Sequence, residues 1–377
     1  MLNARKSLAV IVALVACAIL APAAQASWSV TSGAVAAVNS QLQGVACVTT
    51  SNCILVGPES GGTTSALISK WNGSVFTTQT PASTTSELYG TGCNSATFCV
   101  AVGANYASGA VPHAESYNGT TWTTTTTAVP SGSTFAELSR VACPGSTSCF
   151  AAGYYHTSTA TLPLVERWNG TTWAIQTLTL PSGATNAELA GIGCSSTTAC
   201  TAVGYYESSG NPRRTMILRW NGTAWSAQTG VNQSGATLSE LQGVACTSST
   251  VCVAVGDYAD ASSVQHSLSE TWNGTTWTLK TVADPSGGTD PALYDVSCFT
   301  SPTSGCEAVG GYTGVASNLE PLAAGWNGTA WSLQTVPKPS GATDAVLSGV
   351  SCPTTCMADG VDVGSSGVPS PMAVVGP

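Results

Sequence analysis

The chain has 377 residues, of which 43% are hydrophobic and 8% are charged, and its 10 basic and 19 acidic residues give a formal net charge of −9. A chain this apolar is not typical of a disordered protein. The excess of acid argues against nucleic acid as a partner, because binding a polyanion needs basic surface.

The N-terminal segment 1–26 has the pattern of a secretory signal. Arg5 and Lys6 precede an apolar run, and small residues stand before Ser27, where we expect cleavage. Removing this segment leaves 8 bases and 19 acids, a net charge of −11. No other run reaches the ~20 apolar residues of a spanning helix, so the mature chain, 27–377, is predicted to be a single domain without a transmembrane segment.

A second interpretation of the same segment is a lipid anchor. The letters Leu-Val-Ala-Cys at 14–17 resemble the lipobox of bacterial lipoproteins, in which the cysteine is lipidated. The residues that follow stay apolar, which suits a continuing hydrophobic region better. We therefore expect a secreted or extracellular protein, with attachment to the cell surface through Cys17 as the alternative.

The other 14 cysteines form seven close pairs, and each pair stands in a similar phrase, such as LQGVACTSSTVCVAVG from residue 241. The first cysteines of successive pairs are 46 to 54 residues apart, which indicates seven repeats. The pairs are Cys47 and Cys53, Cys93 and Cys99, Cys143 and Cys149, Cys194 and Cys200, Cys246 and Cys252, Cys298 and Cys306, and Cys352 and Cys356.

Secretion and an even number of locally paired cysteines predict one disulfide in each repeat. Zinc is the alternative interpretation, but each pair supplies only two ligands, and the 3 histidines of the chain cannot complete seven sites. Each bridge would close a short hairpin, to which the loop-entropy model assigns about 2 kcal/mol.

Each repeat reads as four short strands, here called A to D. Strand A precedes the first cysteine, as at 241–245, and strand B follows the second, as at 253–256. Strands C and D are alternating runs on either side of Asn-Gly, as at 215–220 and 223–229. No segment after residue 26 has the period or caps of a helix.

The Asn-Gly dipeptide occurs six times between aromatic residues, in KWNGSVF at 70, SYNGTTW at 116, RWNGTTW at 167, RWNGTAW at 219, TWNGTTW at 271 and GWNGTAW at 325. Asn-Gly between two strand patterns is a strong hairpin signal, because both residues tolerate positive φ. We predict that Asn169 and Gly170 form a two-residue turn between strands C and D, with Trp168 and Trp173 as packing anchors.

The chain ends distinguish a closed ring from an open array. The seventh repeat ends after strand C, near 371–375, and has no strand D. At the other end, Trp28 precedes Cys47 by 19 residues, close to the 17 or 21 residues that separate the second hairpin aromatics from their next cysteine. We predict an all-β, seven-bladed β-propeller of four antiparallel strands per blade, closed by pairing of 27–31 with 371–375, which removes an open sheet edge.

The repeat resembles bacterial secreted β-propeller repeats of the kelch and Asp-box kind. The resemblance is carried by the glycine after strand B, as at Gly204 and Gly256, and by the hairpin aromatics, such as Trp220 and Trp225. It covers nearly the whole mature chain. These families include sugar-binding lectins, glycosidases and protein-binding platforms, and the fold alone does not choose among them.

In a propeller the A–B and C–D loops share one face, and the B–C and D–A loops share the other. The disulfide hairpins and Asn-Gly turns therefore share one regular face. The opposite face, which carries the variable B–C stretches and the Pro-Ser-Gly linkers, is where we expect a ligand, near the central channel.

Two sets of residues on that face are candidates for ligand binding. Tyrosines near the end of strand B can stack on sugar rings, or they can pack between blades: Tyr106, Tyr155, Tyr206, Tyr258 and Tyr312. Glutamates just before strand A can ring the channel mouth and hold Ca²⁺ or steer a cationic partner, or they can be solvated strand starts: Glu87, Glu137, Glu188 and Glu240. No cofactor is required by the sequence.

Other chemistry has weak support. The histidines His113, His156 and His266 fall in predicted B–C loops at different offsets from the preceding cysteine, which does not suit a shared metal. A converging arginine triad of the sialidase kind is not expected, because Arg167 and Arg219 are hairpin residues of their own repeats. We see no nucleophile-elbow, phosphate-loop or metalloprotease motif.

The sequence therefore favours an extracellular binding propeller, expected to be a monomer, that takes a glycan or serves as a cell-surface protein-interaction platform. The alternative is a glycan-active hydrolase or lyase that uses acidic residues on the B–C/D–A face. A purely structural surface protein is the third interpretation.

Overall fold

A computed structural model describes residues 27–31, 39–60, 64–299 and 305–377. The predictions of a signal segment and of a lipidated Cys17 lie outside these residues. Within them the chain forms strands and turns, and we find no helix that is long and apolar enough to cross a membrane. The strands make seven sheets, which are the seven blades of a β-propeller, and the predicted fold class is confirmed.

The blades follow one another along the chain, each with strands in the order A, B, C, D. Blade 1 is Gly44–Thr49, Asn52–Ser60, Thr64–Trp71 and Phe76–Gln79; blade 2 is Ser86–Ser95, Phe98–Asn105, Val111–Tyr117 and Trp122–Thr125; blade 3 is Phe135–Gly145, Ser148–His156, Thr161–Trp168 and Trp173–Ile175. Blade 4 is Ala184–Ser196, Ala199–Ser208, Arg214–Trp220 and Trp225–Gln228; blade 5 is Leu238–Ser248, Val251–Ala259, Gln265–Trp272 and Trp277–Leu279; blade 6 is Thr289–Cys298, Cys306–Thr313, Leu319–Trp326 and Trp331–Gln334. Blade 7 is Ala342–Ser351, Cys356–Gly364, Pro369–Gly376 and, from the other end of the chain, Ser29–Val30.

The N-terminal strand closes the ring as predicted. Ser29 pairs with Val375 and Val30 with Val374 in antiparallel register. Strand A of blade 7 also lies against strand A of blade 1. One addition was not predicted: the linker strand Leu178–Thr179 joins blade 4 as a fifth, parallel strand beside its strand D.

All seven predicted disulfides are formed, each across the A–B hairpin of its own blade. The core lies between neighbouring blades rather than within them. Phe150 of blade 3, for example, packs 5.6 Å from Trp220 and 5.8 Å from Trp225 of blade 4. Burial of such rings supplies the main stabilisation, because single sheets cannot bury their own faces.

The Asn-Gly turn differs from the prediction. Trp168 pairs directly with Trp173, so the loop has four residues rather than two. Gly170 has a φ of 101°, whereas Asn169 does not have positive φ. The Asn169 side-chain oxygen instead accepts hydrogen bonds from the backbone N–H groups of Thr171 and Thr172, both at 2.9 Å. The asparagine is thus selected as a side-chain cap of the turn.

The recurring glycine, which the structure places within strand B, has a steric role. A Cβ on Gly204 would lie 1.9 Å from the carbonyl oxygen of Glu188 in strand A. The two strands can therefore approach only if this position lacks a side chain. The same close approach recurs in the other blades, which explains why the glycine is repeated.

Candidate functional site

Strand A of blades 2 to 7 is interrupted by a β-bulge at the residue after its recurring leucine. In blade 4, for example, the pairing register skips one residue between Leu189 and Gly191. A bulge re-aims the side chain of the extra residue. Together with the matching residue of blade 1, the bulged residues form a set that we call the bulge ring: Gln43, Tyr89, Ser139, Ala190, Gln242, Tyr294 and Ser348.

The bulge ring surrounds the mouth of the central channel on the B–C/D–A side. Six of its seven members, all except Tyr89, line one cavity of about 340 Å³, together with Tyr154, Glu188 and Arg140. This volume lies at the lower end of the range for small-molecule pockets. We call it the mouth cavity.

Arg140 forms the floor of the mouth cavity. Its guanidinium donates hydrogen bonds to the carbonyl oxygens of Tyr89 at 3.2 Å, Ser139 at 3.1 Å and Ser348 at 3.3 Å. It therefore links blade 3 to blades 2 and 7 across the channel. A second cavity of about 250 Å³ lies on the other side of Arg140, towards the disulfides.

Two carboxylates interact with Arg140 below the floor. Asp295 accepts a hydrogen bond from the backbone N–H of Val350 at 3.0 Å, and Asp359 is fully buried. Burial raises the pKa of Asp359 to about 8; Arg140 opposes this shift, and Asp295 adds to it. The channel centre thus combines one permanent cation with two carboxyl groups whose protonation is coupled to it.

The four predicted glutamates all lie at the rim of this channel mouth, on strand A one residue before the recurring leucine. Glu137 pairs across the sheet with Tyr154, and Glu188 pairs with Tyr205. In both pairs burial and the neighbouring glutamate raise the pKa of the tyrosine hydroxyl. Each of these two carboxyl groups therefore lies beside an aromatic side chain.

The other two glutamates have partners of their own. Glu87 accepts a hydrogen bond from the Tyr89 hydroxyl at 2.7 Å. Glu240 accepts one from Arg213 at 2.9 Å and one from Gln242 at 2.9 Å. The four glutamates are thus spread around the rim and do not converge on one point.

Burial and mutual repulsion change the ionisation of the rim. Burial, opposed by the Tyr154 hydroxyl and assisted by the charges of Glu188 and Glu87, raises the pKa of Glu137 to about 7. Burial also raises the pKa of Asp257, which pairs with Glu240, to about 7. Near neutral pH these two groups are partly protonated and can donate as well as accept hydrogen bonds.

The predicted tyrosines divide into two groups. Tyr106 lies at the rim, where its hydroxyl is 2.7 Å from that of Tyr89. The other four pack against the hydrophobic clusters between blades, as in the packing interpretation: Tyr155, Tyr206, Tyr258 and Tyr312. Each of these four follows the recurring glycine of strand B by two residues, whereas Tyr106 follows it by three. Because successive residues of a strand face opposite sides, Tyr106 points to the other face.

Four rim tyrosines were missed from the sequence. Tyr154 and Tyr205 stand one residue before the predicted ones, and Tyr89 and Tyr294 belong to the bulge ring. A signal for the bulge ring was present, because the residue after the recurring leucine varies in an otherwise repetitive phrase. Such variation at one position of a repeat is typical of a binding face rather than of packing.

Arg213 is the second cation of this face. Its guanidinium lies 3.8 Å from the centre of the Tyr205 ring and bonds to Glu240 and Glu207. The hairpin arginines lie elsewhere and stack on tryptophans: Arg167 is 5.5 Å from the Trp220 ring and Arg219 is 4.7 Å from the Trp272 ring. Arg167 and Arg219 therefore lie on the C–D hairpins, apart from Arg140 and Arg213.

The structure places all three histidines in strands and not in the predicted B–C loops. His113 is buried in strand C, where it lies 3.1 Å from Glu115. His266 lies 2.7 Å from Asp284 at the start of another strand C, and His156 ends strand B of blade 3. In the described ranges no group of three or more His, Cys, Asp or Glu side chains is arranged to hold a metal ion.

Comparison with known proteins supports the fold. No protein-family model and no curated protein matches the sequence. The structure is similar to the WD40 β-propeller domain of Doa1, with a TM-score of 0.60 at 10% identity over 93% of this chain and 97% of that one. It is also similar to YCF48 from Cyanidioschyzon merolae, with a TM-score of 0.53 at 11% identity over 93% and 98% of the two chains.

A fungal lectin from Aleuria aurantia, described as a six-bladed β-propeller, is more distant, with a TM-score of 0.45 at 15% identity over 80% of this chain and 98% of that one. At 10% and 11% identity, the similarity to the first two structures shows the fold alone. The described residues form a β-propeller, an architecture that serves binding and scaffold roles in many proteins.

Proposed function

We propose that this protein is an extracellular propeller that binds an uncharged or amino-sugar glycan in the mouth cavity. The observation that carries the proposal is the chemistry of the cavity wall: tyrosine rings, amides, a carboxylate and a guanidinium together in about 340 Å³. A sugar ring offers an apolar C–H face to an aromatic ring, and its hydroxyls both donate and accept hydrogen bonds.

The charge of the rim supports a neutral or cationic ligand. Five carboxyl groups surround the mouth, and Arg140 and Arg213 already bond to groups of the protein. The rim carboxyl groups are Glu87, Glu137, Glu188, Glu240 and Asp257. The negative charge of this rim would repel an anionic polysaccharide. Seven disulfides support the extracellular setting, since such bonds persist in oxidising compartments.

The test is a glycan array followed by calorimetry with the best ligand. Tyr154→Ala, which installs the residue that blade 2 carries at Ala104, and Glu188→Gln should each weaken binding at least fivefold. Ser226→Ala, on strand D of blade 4, is the control and should leave the affinity unchanged. Equal affinity in all four proteins, or no binding of any glycan by the wild type, would reject the proposal.

A second candidate function is glycan hydrolysis, and Glu137 favours it. Its pKa of about 7 lets it carry a proton near neutral pH, as a general acid must. Release of reducing ends from neutral polysaccharides by the wild type, and its loss in Glu137→Gln, would establish this activity. Binding without release in both proteins would leave the protein a binding module.

A further inference from the structure

A stripe of aromatic rings leads outward from the mouth cavity over blade 3. Tyr154 lines the cavity, and its ring lies 5.8 Å from the Phe135 ring. His156 lies 5.2 Å from Phe135 and 5.3 Å from Tyr154. All three side chains are half-buried, so their rings remain accessible to a ligand.

Strand geometry explains why the three rings meet. Tyr154 and His156 are two residues apart on strand B and so face the same side. Phe135 on strand A pairs directly with His156. The rings therefore form one surface that begins inside the cavity and continues towards the B–C/D–A loops of blade 3, where strand A begins and strand B ends.

The stripe is specific to blade 3. At the position of Phe135, blade 2 has Thr85, blade 5 has Leu238 and blade 7 has Asp344. Repeated packing needs do not account for an aromatic that occurs in one blade only. The outer end of the stripe is fixed by polar contacts: the His156 ring nitrogen lies 2.9 Å from the Thr161 hydroxyl.

We infer that the ligand is an oligosaccharide of two or more residues, with one ring in the mouth cavity and the next on the Phe135–His156 stripe. This inference rests on the proposed glycan binding and adds the length and direction of the ligand. The mouth cavity is small, so a chain of several sugars must leave it, and Tyr154 makes the stripe continuous with the cavity. The stripe then supplies a second stacking platform.

The test compares chain lengths from one to four sugars, using neutral gluco-oligosaccharides, manno-oligosaccharides and chitosan oligosaccharides, in calorimetry with the whole mature protein. For whichever series binds, the wild type should bind the tetrasaccharide at least tenfold more tightly than the monosaccharide. Phe135→Thr should lose about five- to tenfold for the tetrasaccharide and less than twofold for the monosaccharide. Leu238→Thr, which places threonine at the corresponding position of blade 5, is the matched control.

His156→Thr, which installs the residue that blade 6 carries at Thr313, should also weaken binding of the tetrasaccharide more than binding of the monosaccharide. This variant replaces Phe135→Thr if Phe135→Thr fails to fold. Equal affinity of the wild type for all chain lengths, or equal losses for short and long chains in the stripe variants, would overturn the inference while leaving glycan binding intact. Absence of binding in every series would instead remove the proposed function and the inference with it.

Discussion

The indole of Trp28 lies directly over Gly376, in the space that a side chain on Gly376 would need. A Cβ there would be 2.5 Å from ring atoms of Trp28. Gly376 pairs with Cys356 in blade 7, and the matching pair in blade 1 is Trp71 with Cys53. Gly376 therefore occupies the position at which the other six blades have Trp or Tyr. The seventh blade thus has one hairpin aromatic instead of two, and the N-terminal strand supplies it.

Trp28→Ala should lower the free energy of unfolding by about 3–5 kcal/mol, the usual cost of removing a large buried ring. Trp28 is 3% exposed, and its indole N–H donates to the Gln334 side chain at 2.6 Å, which ties blade 7 to blade 6. Chemical denaturation measures the loss, and Trp28→Phe is the milder control. An unchanged midpoint in Trp28→Ala would show that the N-terminal strand does not hold the ring closed.

Stability should fall as pH rises from about 4.5 to 7, because buried glutamates hold their protons in the folded protein. Burial raises the pKa of Glu166, Glu270 and Glu307 to about 7 in each case. The unfolded chain releases these protons near pH 4.3, so the stabilisation is complete below that pH and is lost through pH 7. Melting temperatures at pH 4.5 and 7.5 check the sign.

The matched variants for this effect are Glu166→Gln and Glu270→Gln, which cannot ionise. Each glutamate accepts a hydrogen bond from the linker that precedes its blade, from the backbone N–H of Ala128 and of Val231, both at 2.9 Å. The variants should flatten the fall in melting temperature between the two pH values. A fall as steep as that of the wild type in the double variant would assign the pH dependence to other groups.

Removing one disulfide by Cys246→Ser with Cys252→Ser should cost about 2 kcal/mol, because each bridge closes a short loop. Since every bridge lies within one blade, glycan affinity should not change. Loss of binding in this variant would show that the two faces of the ring are coupled.

Arg140→Gly installs the residue that five other blades carry at this position and should lower stability by about 1–3 kcal/mol, since three carbonyl oxygens lose a donor. Combining it with Asp295→Gly should cost less than the sum of the two single changes, because the carboxyl group no longer lacks its cation. Strict additivity in the double-mutant cycle would mean that the two groups do not interact.

The fold was predictable because the repeat gives the same information seven times. The spacing of the cysteine pairs defined the blades, and the position of Trp28 relative to Cys47 predicted the closing strand. The Asn-Gly turn was misjudged in length because the dipeptide also fits a four-residue loop, in which asparagine caps the backbone through its side chain.

The candidate site was predictable only in part. The rim glutamates recur in register, so the sequence showed them. Successive side chains of a strand point to opposite faces, so an error of one residue in the predicted position selects the wrong face. For this reason the sequence indicated Tyr155 as a ligand-binding residue, whereas its neighbour Tyr154 lies at the rim. The bulge in strand A changes that phase once more, and neither composition nor periodicity reveals where a bulge falls. Only the structure therefore shows that the variable residues after the recurring leucines meet Arg140 at the channel mouth.

The most direct test of glycan binding at the channel mouth is hydrogen–deuterium exchange of the mature protein with and without the tightest-binding array glycan. Binding in the mouth cavity predicts slower exchange at 137–140 and 188–190, with unchanged exchange in the Asn-Gly turn at 169–172. Protection confined to 169–172 and the disulfide hairpins would place the ligand on the opposite face and contradict the account.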